Sequence, residues 1–449
     1  MWWQLTKPRG VLSSKKKSND AGAELAADDA ADEHNEGEVM NVRRFRRICV
    51  IAAAIAALSL PGVARADTVT DWNAHAGNAL AAARQTPAPL FVHMAMVHGA
   101  IYDAVNGIDR RHRPYLVLPA AQPWDSMDAA AATAAYRVLV EILPAQQPAL
   151  EPLYEASLAA VPDGPSKDGG IAAGETAAAA MIAARTDDGR FGPFRFTAGF
   201  SPGAWRPELP LFASDPFAWV AYVKPFLMQS GSQFRSDGSN ALTGDAYAAD
   251  FAEVKAVGAR NSSTRTADQT EQALYWAAAS WNRIIRTIAA NEGLSVAENA
   301  RLFALSELTA ADANISCWND KAYWSSWRPI TAIRLADADG NLATDADPAW
   351  EPLLATPAFP EHPSGHACAS GSIVATLQDL FGTDKITFTA FSAGSGTSRT
   401  YTRFSEALKE VIDARVYAGI HFRTADVQGA VIGKKVEHWA EKHYLQPVE

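Results

Sequence analysis

The chain has 449 residues, 48% hydrophobic, 20% charged and 9% aromatic, which excludes a disordered or collagen-like polymer. Lys and Arg total 40 against 50 Asp and Glu, a formal net charge of −10, which argues against affinity built on neutralising a nucleic-acid backbone. Three cysteines exclude a disulfide-stapled scaffold and a four-cysteine zinc site.

From the N-terminus, residues 1–39 carry a lysine run and an Ala/Asp/Glu stretch without apolar periodicity. They read as a disordered or spurious extension ahead of a true start at Met40. Residues 40–66 have the parts of a secretory signal peptide: the basic run RRFRR, the apolar run Ile48–Leu60, and Ala64-Arg65-Ala66 as a cleavage site. The apolar run is shorter than the roughly 20 residues that a membrane span needs. The expectation is an exported protein, periplasmic or secreted, whose mature chain begins at Asp67 and carries no transmembrane segment.

The mature chain, 67–449, reads as helical. Apolar residues recur at three- and four-residue spacing and no segment sustains alternation. Helices are expected over Phe91–Gly107, Asp125–Leu143 and Ile171–Arg185. Gly189–Ser236, rich in Pro, Gly and aromatics, reads as a long ordered connection. Capping boxes at Thr266–Gln269 and Ser295–Glu298 open two further helices. Helix pairs throughout predict an all-α bundle fold.

Three C-terminal segments place cationic or polar groups where a plain core would not want them. In KAYWSSWRP, Lys321 and Arg328 share a face within about 20° if the segment is one helix. Like charges so placed repel unless solvent or an anion separates them. In PSGH, Ser364 and Gly365 open a small-residue helix, giving a hydroxyl, free backbone N–H groups and the positive end of a dipole, with His366 beside them. In the third segment Phe404, Leu408 and Ile412 form an apolar stripe that Arg415 joins, and a helix stop near Gly419 would turn His421 into the same pocket. Together these groups suit a tetrahedral oxyanion, with one histidine to bond to it and another to move a proton.

The ordered set K-x6-R-P, P-S-G-H and R-x5-H resembles the vanadium-dependent haloperoxidases and the type 2 phosphatidic acid phosphatase superfamily that shares their site. The likeness is densest over 317–426, with weaker echoes at Val92–Gly107 and Arg260–Trp276. It implies an all-α fold of two packed helix bundles. It further implies a vanadate cofactor held by Lys321, Arg328, Ser364, Gly365 and Arg415, with His421 as the metal ligand and His366 as acid–base group. Phe359-Pro360 and Trp318 are similar to the chloroperoxidase branch, where such aromatics line the halide pocket. Two departures are Ala414 in place of a frequent Ser, and Asp426 five residues after His421. No acidic residue is assigned to steady the arginines.

The resemblance implies halide, hydrogen peroxide and a small organic acceptor as substrates, with phosphate competing for the vanadate seat. Lys321 would polarise the bound peroxide. The alternative on the same residues is an exported acid phosphatase with a phosphohistidine on His421; a third class is a vanadate- or phosphate-binding protein. The aromatic wall of Trp318 and Phe359 favours the peroxidase, because a phosphatase needs room for a leaving group. Trp324, Trp327, His93 and His98 read as packing or capping residues. His362 either tunes His366 or faces solvent. Cys317 and Cys368 flank the motifs, and sequence alone leaves open whether they pair.

Overall fold

The computed structural model describes residues 67–448 apart from Thr86 and residues 209–211. The expected extension, start site and signal peptide lie outside the described residues. In chain order these residues form α1 (Thr68–Ala82), α2 (Pro87–Asp109), α3 (Met127–Ile142), α4 (Gln147–Ala159), α5 (Pro165–Ala184), α6 (Asp245–Val257), α7 (Ala267–Ala278) and α8 (Trp281–Glu292). There follow α9 (Val296–Trp324), α10 (Pro329–Arg334), α11 (Gly365–Phe381), a hairpin of β1 (Phe388–Ser392) and β2 (Thr397–Tyr401), α12 (Phe404–Tyr417) and α13 (Arg423–His443).

The start signals read from sequence are used. Thr266 and Gln269 form a capping box on α7, and Ser295 and Glu298 form one on α9. The all-α expectation holds except for the antiparallel hairpin, where Phe388–Ser392 alternates buried and exposed positions over a single short strand. That run is too short to stand out as periodicity.

Helix α9 is the shared wall of the molecule. From Leu302 to Trp318 every residue is buried, as expected of a helix enclosed on all sides. It packs against α2 and against α11 and α13, while α2 in turn packs on α3 and α5. Its buried carboxylates also fasten the long connection expected at Gly189–Ser236. Asp312 accepts backbone N–H bonds from Phe226, Leu227 and Met228 at 2.7, 2.8 and 2.7 Å. Asp320 accepts from Ser236 N at 2.7 Å and Ser236 Oγ at 2.6 Å, and pairs with Arg235 at 3.0 Å. The connection is ordered because its free N–H groups end on acceptors carried by the core helix.

Two sequence expectations are corrected. Lys321 and Arg328 do not share one helix: α9 stops at Trp324, Ser325 adopts a left-handed conformation at φ 44°, and Arg328 is the extended N-cap of α10. Pro329 disfavours a helical residue before it, which explains the break. On α12 the buried stripe runs through Phe404, Ala407, Val411, Ala414 and Arg415, while Leu408 and Ile412 are half-buried.

The position of α11, which carries the PSGH histidine, depends on its close approach to α13. A Cβ on Gly433 would lie 2.2 Å from the Cys368 carbonyl oxygen, and one on Gly371 2.5 Å from that of Ala430. Both contacts are with backbone, which cannot rotate away. Gly433→Ala is therefore expected to lower stability by about 1–3 kcal/mol through overpacking. Gly77→Ala on α1, where nothing lies within 4 Å, should raise it by about 0.4–1 kcal/mol. Urea midpoints of the two variants at unchanged slope measure both effects; a neutral Gly433→Ala would contradict the packing argument.

Candidate active site

The sequence-predicted residues converge at the N-terminus of α11. A cavity of about 580 Å³ is lined there by Gly365, His366, Arg415, His421, Trp318 and Phe359, among others. Ser364 is the N-cap, but its hydroxyl makes no capping bond and has no partner. Gly365 has a steric reason: a Cβ would meet the Trp318 ring at 2.8 Å. Trp318 and Phe359 are in contact, with ring centroids 5.1 Å apart. Lys321 Nζ lies 5.1 Å and Arg328 Cζ 4.8 Å from the Phe359 centroid, so the ring sits between two cations.

Three cations are buried here. Lys321 donates to the Pro360 and Glu361 carbonyls, each at 2.9 Å, and to that of Pro363. An ammonium has three protons, so all are engaged. Lys321 clamps the loop that leads into PSGH and contributes its charge from behind it. Arg328 donates from Nε to the Phe359 carbonyl at 2.9 Å and from Nη1 to that of Ile420 at 2.8 Å; its Nη2 has no partner. Arg415 has no partner on Nε or Nη1. Burial pushes Lys321 down to about 8 and each arginine down to about 10.

His421 is oriented by Glu361, a residue that the motifs did not single out. Arg328 Nη1 lies 3.1 Å from His421 Nε2, and an arginine only donates. Nε2 must therefore accept, leaving the ring proton on Nδ1, which donates to Glu361 Oε1 at 2.9 Å. The same oxygen takes the Phe422 N–H at 3.0 Å. Glu361 thus fixes the tautomer that leaves the Nε2 lone pair available to a metal or phosphorus atom. Burial raises Glu361 to about 7, against the attraction of Arg328 and Lys321. Asp426 lies near Arg415; neither of its oxygens has a hydrogen-bond partner, and burial holds it well above the usual carboxylate range against the attraction of Arg415. These two carboxylates are the acidic partners left unassigned by sequence. Glu361 immediately precedes His362-Pro363 in the motif, but only the fold brings it under His421.

His366 and His421 are both held well below their ordinary range, first by burial and then by the three cations. Both are neutral while the cations are uncompensated. His362 turns away: its Nε2 pairs with Ser236 Oγ at 3.0 Å, tying the long connection to the loop. His93 and His98 are buried beside Phe191 and Phe303 and line no part of the cavity, as expected of packing residues. Cys317 and Cys368 are buried free thiols, and Cys317 Sγ donates to the Pro363 carbonyl at 3.5 Å.

The unpartnered donors Arg328 Nη2, Arg415 Nε and Nη1 and Ser364 Oγ, beside an imidazole nitrogen that accepts only from Arg328, fit a multi-oxygen anion such as vanadate or phosphate. Comparison with known proteins agrees. Residues 301–449 match the family described as the VCPO second helical-bundle domain. The chain is similar to vanadium chloroperoxidase of Curvularia inaequalis, 34% identical over 144 residues. The match covers 26% of this chain and 23% of that protein, so this chain spans about a quarter of that relative. Among solved structures, a bacterial vanadium-dependent iodoperoxidase superposes with a TM-score of 0.74 at 20% identity, covering 85% of this chain and 97% of the other. A holo-type bacterial vanadium-dependent chloroperoxidase gives 0.64 at 16%, covering 86% and 94%. At those identities the superpositions establish the haloperoxidase fold.

The Glu361–His421 pair generates a prediction. Partners behind a ligating histidine typically contribute about 10–100-fold to affinity. Glu361→Ala should weaken vanadate binding by that factor, whereas Glu361→Gln keeps an acceptor oxygen for Nδ1–H and should lose less. Calorimetric titration with vanadate checks this. Equal affinity in parent and Glu361→Ala would remove Glu361 from the role.

Proposed function

We propose that the chain is a vanadium-dependent haloperoxidase, oxidising halide with hydrogen peroxide to hypohalous acid. The observation that carries the reading is the set of buried unpartnered donors around a histidine whose Nδ1–H is held by Glu361, so that Nε2, met here only by Arg328 Nη1, presents its lone pair. Arg328, Arg415, Ser364 and the Gly365 N–H would hold the oxygens of vanadate, His421 Nε2 would ligate the metal, and Lys321 would add charge through the loop that it clamps. Bound vanadate would supply Lewis acidity that activates hydrogen peroxide toward halide.

The chain's own groups would do the rest. Arg328 releases its contact with Nε2 when that lone pair is used, and Glu361 keeps the ring oriented through Nδ1. Burial, and after it the charges of Arg415, Lys321 and Arg328, lower His366; an anion in the seat would offset the cationic part and raise its proton affinity. Trp318 and Phe359 exclude water from the adjoining halide position.

A second reading, the exported acid phosphatase, is favoured by one observation. The cavity is roomy enough for a leaving alcohol, so the steric argument against it does not hold. There His421 Nε2 attacks phosphorus and His366 protonates the departing oxygen. The two histidines separate the readings. In a haloperoxidase, His421→Ala should lose tight vanadate binding and all halide oxidation, while His366→Ala keeps vanadate and turns over about 10²–10⁴-fold more slowly. In a phosphatase, His421→Ala abolishes the phosphoenzyme, and His366→Ala still forms it from esters with good leaving groups. Vanadate retention and both activities in the two variants decide between them; parent-like vanadate affinity in His421→Ala would overturn the assigned ligand.

Export is part of the proposal. It is supported by the basic–apolar–A-x-A order and by Asp67, the residue after the expected cut, which caps α1 by accepting from Thr70 N at 2.9 Å. N-terminal sequencing of the protein recovered outside the cytoplasm should begin near Asp67; residues before Leu60 retained there would contradict it.

A further inference from the structure

The cavity is much larger than a halide and hydrogen peroxide require. Its volume of about 580 Å³ lies in the range, about 300–1,000 Å³, of pockets that enclose whole organic ligands. His366, His421 and Arg415 form its inner end, and Leu90, Phe91, Trp276 and Trp281 line it beyond them.

The indoles are fixed in place. Trp276 Nε1 donates to Glu410 at 3.0 Å, Trp281 Nε1 to Ser370 Oγ at 2.8 Å, and Trp318 Nε1 to Asp215 at 3.2 Å. With their polar tips engaged, the rings offer a guest only apolar surface, and little ordering entropy is lost on binding.

Charge narrows the occupant. Apart from the histidines, the charged residues lining the cavity are Arg415, which faces the anion seat, and Asp215. Asp215 already uses both oxygens, accepting from Phe217 N at 2.9 Å and from Trp318. With Arg415 engaged by the anion, a charged guest would find no counter-charge on the wall, whose remaining polar lining, Gln85, Asn282 and Asn314 among it, is neutral.

We infer that the cavity binds an uncharged, apolar aromatic acceptor and holds it beside His366 for halogenation in place; this rests on the haloperoxidase reading above. The ring C–H breaks and a carbon–halogen bond forms. Halide gives up two electrons, and these reduce the O–O bond of hydrogen peroxide. With one added proton, the ring hydrogen and both peroxide oxygens leave as two waters.

The test uses 2-naphthol as probe on the vanadate-loaded protein. Calorimetry should show saturable binding in the parent, weakened at least tenfold both in Trp281→Ala, which removes a stacking wall, and in Ala279→Trp, which fills the space. Vanadate affinity should stay unchanged in both. When 2-naphthol and the hydrophilic dye phenol red compete for bromination, the parent should favour naphthol beyond the ratio given by free hypobromite, and the variants should fall to that ratio. Absence of saturable naphthol binding, or a parent ratio equal to that of hypobromite, overturns the acceptor site while leaving halide oxidation standing. A parent that binds naphthol but oxidises no halide, and hydrolyses 2-naphthyl phosphate, overturns the haloperoxidase reading and makes the naphthyl group a leaving group.

Discussion

The site is organised by buried positive charge. Lys321, Arg328 and Arg415 are almost fully enclosed, and their charges act on both His366 and His421. Desolvating three cations together is unfavourable unless each finds acceptors and the group finds counter-charge. The protein meets this unevenly. Lys321 is saturated by carbonyls, Arg328 is partly satisfied, and Arg415 presents unpartnered donors to the cavity. The gradient points toward the N-terminus of α11, whose own dipole adds to it. A multi-oxygen anion placed there completes arrangements that the protein leaves open.

The scaffold is arranged to hold that gradient. Carbonyls of Phe359, Pro360, Glu361 and Pro363 all end on Lys321 or Arg328, so the loop before PSGH is fastened from beneath by the cations that serve the site. The long connection is fastened by Asp312 and Asp320 of α9, and Asp320 adjoins Lys321 in the chain. Helix α9 therefore fixes the loop, the connection and one cation at once. Glycines let α11 settle against α13, which follows directly after His421 and carries Asp426. His421 and Asp426 thus come from one short stretch of chain.

The sequence made part of this legible. Spacing within PSGH and around Arg415 marked the donors, because polar residues on apolar helix faces violate the helical pattern. Capping boxes marked helix starts because their bonds are local. What stayed hidden depended on contacts distant in sequence. Glu361 meets His421 60 positions away, and an acidic residue in a Pro-rich loop carries no periodic signal. The Lys321–Arg328 break was misread because helical geometry was extended through Ser325, whose left-handed cap is a tertiary outcome. The extent of the cavity was equally unreadable: its walls come from α2, α7, α8, α9, α11, α12 and loops, and the tryptophans that line it look like ordinary core in one dimension.

That cavity changes the weight of the aromatic wall. Trp318 and Phe359 alone suggest a tight halide pocket with no space for a leaving group. Extended by Trp276 and Trp281, the same wall becomes the narrow end of an apolar channel. Peroxidase and phosphatase chemistry then differ less in space than in what His366 must do. In a phosphatase it protonates an alkoxide whose carbon skeleton occupies the channel; in a haloperoxidase it handles protons of peroxide while the channel is free for an acceptor. Burial first and the cationic field second make a histidine there a weak base, and an anion in the seat would ease the second of these. The coupling between anion occupancy and His366 is therefore the common element, and the identity of the atom bonded to His421 Nε2 is what separates the two chemistries.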